Sequence, residues 1–186
     1  MTGRSHDPRR LDVRALAADA ATVQGTQPAE NFTRLQHSVS GAMAPDSDVP
    51  VIWSAVGALR TAAGAPAEVW MHLRADTAVR LICQRCLQPL TDALIVDRRY
   101  QFVASESEAE YLDEISEHEV LVLARTIDLF DLLEDELILA LPIVPRHGVC
   151  PQPLVLGGIE VFSPEQDEAP HPFAALAGLR KPPLNS

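Results

Sequence analysis

Alternating apolar and polar positions between residues 51 and 103 form the most regular pattern in the chain. Val69, Met71 and Leu73 are apolar and alternate with bulky or polar neighbours, and this period of two predicts a β-strand. Similar runs occupy residues 51–60 and 93–103, with turns predicted at residues 63–66 and near Asp76. Their spacing predicts an antiparallel meander that is curled or barrel-like rather than flat.

Two other segments have the composition and spacing of helices. Residues 11–20 are rich in Leu and Ala and contain neither Gly nor Pro, so they predict a short N-terminal helix. A second helix follows Asp128, whose carboxylate can cap the first turn, and ends at Pro142. Its apolar side chains fall on one face at helical spacing: Leu129, Leu132, Leu133, Leu137, Ala140 and Leu141. Three acids mark the face that is predicted to be exposed to water: Glu134, Asp135 and Glu136.

Weaker patterns complete the predicted fold. Residues 32–39 and 120–123 each have the apolar content of a short strand, and residues 104–118 are acidic enough for a surface loop or short helix. The whole pattern predicts the α+β class. We expect an antiparallel curled or barrel-like meander, with a short N-terminal helix and one leucine-rich helix packed on it.

Length and apolar content bound the domain organisation. The chain has 186 residues, of which 47% are hydrophobic, enough for one domain with its own core. We expect a flexible N-terminus at residues 1–10, a single domain at residues 11–160 and a flexible tail at residues 161–186. A short helix is predicted at residues 172–181, with Phe173, Leu176 and Leu179 near one face. It is either a docking element for a partner or a segment that folds back on its own domain.

The negative charge belongs to one part of the chain. The formal net charge is −11, and residues 106–136 alone contain twelve acids and one base, which also gives −11. This segment favours a basic protein partner or serves solubility alone, and a broad basic face for duplex nucleic acid is not indicated. No apolar run approaches the roughly 20 residues of a membrane span, and no secretory signal is recognisable, so we expect a cytoplasmic protein.

Cys83 and Cys86 stand three positions apart between two predicted strands. This spacing lets both sulfurs bind one metal ion or close one disulfide. His147 and Cys150 have the same spacing and can complete a tetrahedral Zn²⁺ site. The alternative is a thiol pair packed at a strand turn, with His147 on a solvent-facing loop. A thioredoxin-like enzyme requires its first cysteine at a helix N-terminus, and Pro89 opposes a helix there.

Four arginines surround the cysteine pair in sequence: Arg80, Arg85, Arg98 and Arg99. Strands can bring them together as a patch for phosphate contacts, with Tyr100 nearby for stacking. Alternatively, they are solvated arginines on the wet face of a sheet. No glycine-rich phosphate loop, metalloprotease helix or serine elbow indicates catalysis.

Three motifs, in this order along the chain, resemble the YceD family, the large ribosomal RNA subunit accumulation proteins. The first runs from Cys83 to Leu90 and is followed by Arg98-Arg99-Tyr100. The second covers residues 128–147, and the third covers residues 172–176.

This resemblance implies a cytoplasmic protein needed for synthesis, processing or stability of 23S ribosomal RNA in large-subunit ribosome biogenesis. It implies no catalytic residues, so we expect a non-enzymatic accessory factor that contacts 23S ribosomal RNA or a basic large-subunit ribosomal protein. Some members carry a cysteine-rich stretch after the leucine-rich helix, where this chain has only His147 and Cys150. The alternative function is that of a zinc- or thiol-dependent protein, either a metal-binding module or a redox enzyme, that uses Cys83 and Cys86.

Overall fold

The computed structural model describes residues 5–39, 49–61, 64 and 66–151. The helices within these ranges are α1 (Val13–Ala18), α2 (Thr33–Val39), α3 (Glu106–Asp113) and α4 (Leu129–Leu139). The strands are β1 (Thr22–Gln27), β2 (Val51–Arg60), β3 (Glu68–Ile82), β4 (Pro89–Val103) and β5 (Glu119–Val122). The class is α+β, as predicted. The predicted tail, with Phe173, Leu176 and Leu179, lies outside the described residues.

The described strands form one sheet in the order β1-β2-β3-β4-β5. Neighbours from β1 to β4 are antiparallel, whereas β5 lies parallel to β4. The sheet is therefore mixed and open, with β1 and β5 at its edges, and the predicted barrel-like closure does not occur among these strands. The turn predicted near Asp76 is wrong, because Asp76 lies inside the long strand β3 between Ile52 and Ile95.

One face of the sheet packs against α1, α2 and α4. Leu16, Leu35, Leu73 and Leu133 are fully buried there in a single core. Gly57 of β2 lets α1 approach closely, because a Cβ at that position would lie 2.6 Å from α1 backbone atoms. The other face of β2, β3 and β4, which we call the open face, stays exposed in the described part of the chain: Ile52 is 58% and Ile95 67% exposed.

Helix α2 replaces the strand predicted for residues 32–39. Its first turn is capped by Glu134 of α4, whose Oε1 accepts hydrogen bonds from Arg34 N and Leu35 N at 2.6 and 3.1 Å. Helices leave these first amides without an internal partner. Glu134 Oε2 also accepts a bond from Arg34 Nε at 2.9 Å. The cap of α2 therefore comes from a residue 100 positions away.

Helix α4 begins as predicted, because Asp128 Oδ1 accepts a hydrogen bond from Phe130 N at 2.9 Å. The prediction that Glu134 and Glu136 face water is wrong, since they are only 6% and 7% exposed. Glu136 accepts bonds from Tyr100 Oη at 2.6 Å and from Arg98 Nε at 3.0 Å, partners that offset the cost of burying its charge. Burial and the bond to Glu136 both raise the pKa of Tyr100.

The lengths of the described helices decide whether any of them can cross a membrane. The longest described helix, α4, has 11 residues. No helix in the described ranges is both long and apolar enough to cross a bilayer.

Candidate metal centre

The stretch from Cys83 to Cys86 forms a turn at the tip of the β3–β4 hairpin, as the sequence predicted. Cys83 N donates to Gln88 O at 3.0 Å, and Leu87 N donates to Cys83 O at 2.9 Å. Leu87 adopts a left-handed φ of 58°, which is uncommon outside glycine and completes the tight path. Both cysteines are buried, and neither stands at the start of a helix, where a thioredoxin-like thiol would lie.

The chain after α4 returns to this turn. Gln84 N donates to Pro145 O at 2.9 Å, and Arg85 Nη2 donates to His147 O at 2.9 Å. These bonds between the turn and the loop place His147 and Cys150 beside the cysteine pair. His147 is half-buried and in contact with the thiols, so it does not lie on a separate solvent-facing loop.

The four predicted ligand residues form one compact group: Cys83, Cys86, His147 and Cys150. Their ligand atoms all lie within 4.8 Å of one another. The Cys83 and Cys150 sulfurs are 3.8 Å apart, and Cys86 Sγ is 3.3 Å from His147 Nδ1. In a tetrahedral site with Zn–S of about 2.3 Å and Zn–N of about 2.0 Å, these separations are about 3.8 and about 3.5 Å. The group therefore has the dimensions of a metal site.

A hydrogen bond outside the ligand group orients the imidazole of His147. Its Nε2 lies 3.1 Å from Pro89 O, and since a carbonyl only accepts, Nε2 carries the proton. In the neutral ring, Nδ1 is then the acceptor, and it faces Cys86 Sγ. Metal-binding histidines are usually held in this way, by donating the distal ring N–H to a carbonyl or carboxylate.

The two cysteines of the turn differ in acidity. Burial tends to raise the pKa of Cys83, but hydrogen bonds from the backbone N–H groups of His147, Cys86 and Arg85 outweigh it and lower that pKa to about 5. Burial raises the pKa of Cys86. Cys83 is thus a thiolate at neutral pH, the form that binds metal, whereas Cys86 must lose its proton when an ion binds.

Arg85 supplies positive charge beside the ligand group. Its Nε donates to Cys150 Sγ at 3.0 Å, and this bond raises the pKa of Arg85. Three thiolates and a neutral imidazole around a divalent ion carry one net negative charge, which the guanidinium offsets. Arg85 therefore belongs to the surroundings of the candidate metal centre, and partners of metal ligands generally tune metal affinity.

The structure does not bring the four predicted phosphate-contacting arginines onto one surface. Arg85 lies at the hairpin tip. Arg98 is bonded to Glu136 of α4 and, like Arg99, lines a cavity at the other end of the hairpin. Arg80 and Arg99 are exposed at positions that alternate with buried core residues and therefore lie on the open face. RNA contact by these residues stays a prediction.

A concave region that the sequence did not indicate lies at the other end of the β3–β4 hairpin. A cavity of about 360 Å³ is lined there by charged residues and by Trp70 and His118. The alternation in β3 places Trp70 opposite the core residues Val69 and Met71, which was the available signal. Its neighbours come from β2, β4 and the start of β5, so their proximity depends on the pairing of strands.

Comparison with known proteins identifies the family. The family described as "Large ribosomal RNA subunit accumulation protein YceD" matches residues 71–180, more than half of the chain. A protein of that name from Haemophilus influenzae (strain ATCC 51907 / DSM 11121 / KW20 / Rd) is 41% identical over 118 residues, which cover 61% of this chain. The alignment covers 66% of the relative, just under two thirds of its length. No solved structure matches the chain significantly. The family match includes the hairpin tip, α4 and the loop that carries His147 and Cys150, and the chain belongs to the YceD family.

Proposed function

We propose that this chain is an accessory factor for accumulation of the large ribosomal RNA subunit, with a role in synthesis, processing or stability of 23S ribosomal RNA. The observation that carries the proposal is the family match over residues 71–180. The name of the Haemophilus influenzae relative supports the same role. Such a factor acts in the cytoplasm, where bacterial ribosomes are assembled.

The proposed action is binding rather than catalysis. The thiols at the hairpin tip are arranged around a common point, as ligands are. The buried carboxylates Glu134 and Glu136 are occupied by hydrogen bonds that hold α2 and β4 to α4. These groups therefore serve the structure, which favours a non-enzymatic factor.

Two kinds of partner fit the charge distribution. The segment from α3 to β5 is acidic and includes the exposed Tyr111 and Ile115, which favours a basic large-subunit ribosomal protein. Arg80 and Arg99 on the open face favour 23S ribosomal RNA itself. Both partners occur in the same particle, and the role proposed here is compatible with contact to either.

Ribosomal subunit profiles test this role. In cells that lack the protein, we expect a smaller 50S peak and less 23S than 16S ribosomal RNA, restored by the wild-type chain. A normal 50S peak in the deletion strain would contradict the proposal. Rescue by the double variant Cys83→Ser/Cys86→Ser would show that the thiols are dispensable for this role without contradicting it.

Metal binding is the second proposed function, because four suitable ligands converge at the hairpin tip. We propose that the ion is zinc, since three thiolates and one imidazole at tetrahedral spacing suit Zn²⁺. The ion would tie the loop of His147 and Cys150 to the hairpin formed by β3 and β4. Its role is structural, because all four ligands come from the protein and no coordination position is left open.

Substitution with Co²⁺ tests the ligand set, since cobalt reports thiolate ligation through its absorption spectrum. We expect the intense near-ultraviolet charge-transfer bands of cobalt–thiolate bonds together with the visible bands of a tetrahedral ion. Cys86→Ser should weaken the charge-transfer bands. A spectrum typical of octahedral cobalt with oxygen ligands would contradict the assignment.

A further inference from the structure

The open face ends in the cavity that is lined by Trp70. Cross-strand pairing places Trp70 between Ala58 of β2 and Gln101 of β4. On the same face, Arg60 lies two residues from Ala58 and Arg99 lies two residues from Gln101. The cavity volume of about 360 Å³ falls within the range of about 300–1,000 Å³ that is typical of small-ligand sites. It can therefore accept a group the size of one nucleotide.

Trp70 holds two planar groups in place around this cavity. Its Nε1 donates to Glu68 Oε2 at 2.8 Å, which fixes the indole. Arg60 lies over the ring, with Cζ 3.9 Å from the ring centroid. The His118 ring lies 4.4 Å from the indole, centroid to centroid, and its Nε2 is 2.9 Å from Gln101 Oε1. The Arg60 guanidinium is thus held by a cation–π contact and exposed to the cavity.

Only some of the charged side chains around the cavity are paired with an opposite charge. Asp97 bonds to His72 Nε2 at 2.6 Å and accepts from Arg74 Nε at 3.1 Å, and these partners lower its pKa. Arg60 and Arg99, by contrast, have no carboxylate partner within the described part of the chain. Arg98, which is paired with Glu136, and the glutamates Glu117 and Glu119 also line the cavity.

We propose that this cavity is a nucleotide-binding site for single-stranded RNA. In it, a base stacks on the Arg60 guanidinium, and Arg99 contacts the adjacent phosphate. The inference rests on the proposed function, because it names the surface through which the chain would meet ribosomal RNA. It revises the sequence prediction by pairing Arg99 with Arg60. Arg98 also lines the cavity but is bonded to Glu136, whereas Arg80 and Arg85 are not among the lining residues.

The chemistry of the site suits an unpaired nucleotide better than a duplex. Proteins read single-stranded RNA by stacking its bases on aromatic rings or guanidinium planes and by bonding the base edges. Glu117 and Glu119 can accept hydrogen bonds from exocyclic amino groups, as carboxylates accept from cytosine N4. Uracil presents a carbonyl at that position, so amino-bearing bases are expected to bind more tightly.

A basic peptide is the competing ligand, because Glu117 and Glu119 could accept hydrogen bonds from lysine ammonium groups. The position of the Arg60 guanidinium over the Trp70 ring favours RNA, because a guanidinium can stack on a base and its positive charge repels a lysine. The exposed Arg99 adds a second cation at the same site.

Trp70 provides the test, because it is a fluorophore within the proposed site. We expect oligocytidylate of ten nucleotides to quench tryptophan fluorescence of the full chain, and Trp70→Phe to abolish the quenching while Trp53 remains. Arg60→Ala should weaken binding roughly 5- to 100-fold, the range for loss of one stacking contact. With one phosphate contact, made by Arg99, the slope of log K against log salt should be about −0.7, and it should fall to about zero in Arg99→Ala.

Matched substitutions separate this site from general charge effects. Arg14→Ala on α1 removes the same charge away from the cavity and should bind RNA as the wild type does. Arg60→Lys and Arg99→Lys keep the charge without the planar group, and they serve as a second pair if an alanine variant fails to fold.

Three outcomes would overturn the proposal. They are absence of RNA binding, equal RNA affinity of Arg99→Ala and Arg14→Ala, and binding of oligolysine in place of RNA. Equal affinity for oligocytidylate and oligouridylate would overturn the role of the glutamates. Each of these outcomes leaves the subunit profile of the deletion strain unaffected, so failure of this site is distinguishable from failure of the proposed function.

Discussion

The two ends of the β3–β4 hairpin differ in how their side chains are arranged. At the tip, four ligand atoms lie within 4.8 Å of one another, and backbone N–H groups and Arg85 already point at the sulfurs. At the opposite end, Arg60 and His118 both contact the Trp70 ring and leave a cavity of about 360 Å³. The ligand atoms at the tip converge on one point, whereas the cavity beside Trp70 is open to solvent.

This difference shows how one hairpin can combine a structural and a recognition role. Donors that converge on a thiolate fix its charge and position, which suits an ion that stays bound. Charged side chains without a partner keep their hydration until a ligand arrives, which suits reversible binding of RNA. The following substitutions test this division, in order of their expected effect on zinc affinity.

The largest effect is expected for His147→Asn at the tip. The variant loses the imidazole ligand, so zinc affinity should fall by more than the roughly 10- to 100-fold typical for loss of an outer-shell partner. Competition with a chromophoric zinc chelator measures the change. His37→Asn makes the same substitution at an exposed position on α2 and should bind zinc as the wild type does. Equal affinity of the two variants would contradict the ligand assignment.

A smaller effect is expected for Arg85→Leu, which removes the donor to Cys150 Sγ. Zinc affinity should fall about 10- to 100-fold, because Arg85 acts outside the ligand group. The same chelator competition applies, with Arg14→Leu as the matched control on α1. If Arg85→Leu instead changed RNA binding and left zinc affinity intact, the division between the two ends of the hairpin would be wrong.

No change in zinc affinity is expected for Tyr100→Phe, although this variant should be less stable. The Tyr100 hydroxyl donates to the buried Glu136, and loss of such a partner costs about 1–3 kcal/mol in the free energy of unfolding. Urea denaturation measures this loss. Tyr111→Phe on α3 is the control, since Tyr111 is 64% exposed. If zinc affinity also fell in Tyr100→Phe, zinc binding at the hairpin tip would depend on the stability of the whole domain.

A further prediction involves no zinc and concerns the pH dependence of stability in the metal-free protein. Cys83 has a pKa of about 5 in the folded chain and about 8.5 when unfolded, so the unfolded state binds more protons between these values. Stability therefore rises with pH across this window. The contribution of the Cys83 thiolate is fully present above about pH 8.5 and is lost as pH falls towards 5.

Urea unfolding of wild type and Cys83→Ser in the presence of a chelator measures this contribution. The stability difference between them should shrink as the pH is lowered from 8.5 to 5. A difference that stays constant with pH would mean that the Cys83 thiolate is not stabilised by the backbone donors.

The grouping of the four candidate ligands was predictable because its signals are local. The pairs Cys83/Cys86 and His147/Cys150 each have a spacing that can be read directly, and the return of the chain after α4 brings the pairs together. The contact of Arg85 with Cys150 was not predicted, because the position of Arg85 between Cys83 and Cys86 in the sequence does not reveal that its guanidinium reaches Cys150. Only the folded loop places that sulfur 3.0 Å from Arg85 Nε.

Helix α2 and the Trp70 cavity were not predictable for the opposite reason. The first-turn amides of α2 are bonded by Glu134, 100 residues away, so no local capping residue marks that helix. The neighbours of Trp70 come from three other strands or their ends, and their proximity depends on strand register. In both cases, the decisive partner is distant in sequence.

The metal content and coordination of the purified chain test the central claim most directly. X-ray absorption at the zinc edge should show three sulfurs at about 2.3 Å and one nitrogen at about 2.0 Å, with one zinc ion per chain by elemental analysis. A chain that retains no zinc after loading and buffer exchange, or a coordination shell of oxygen and nitrogen alone, would contradict the account.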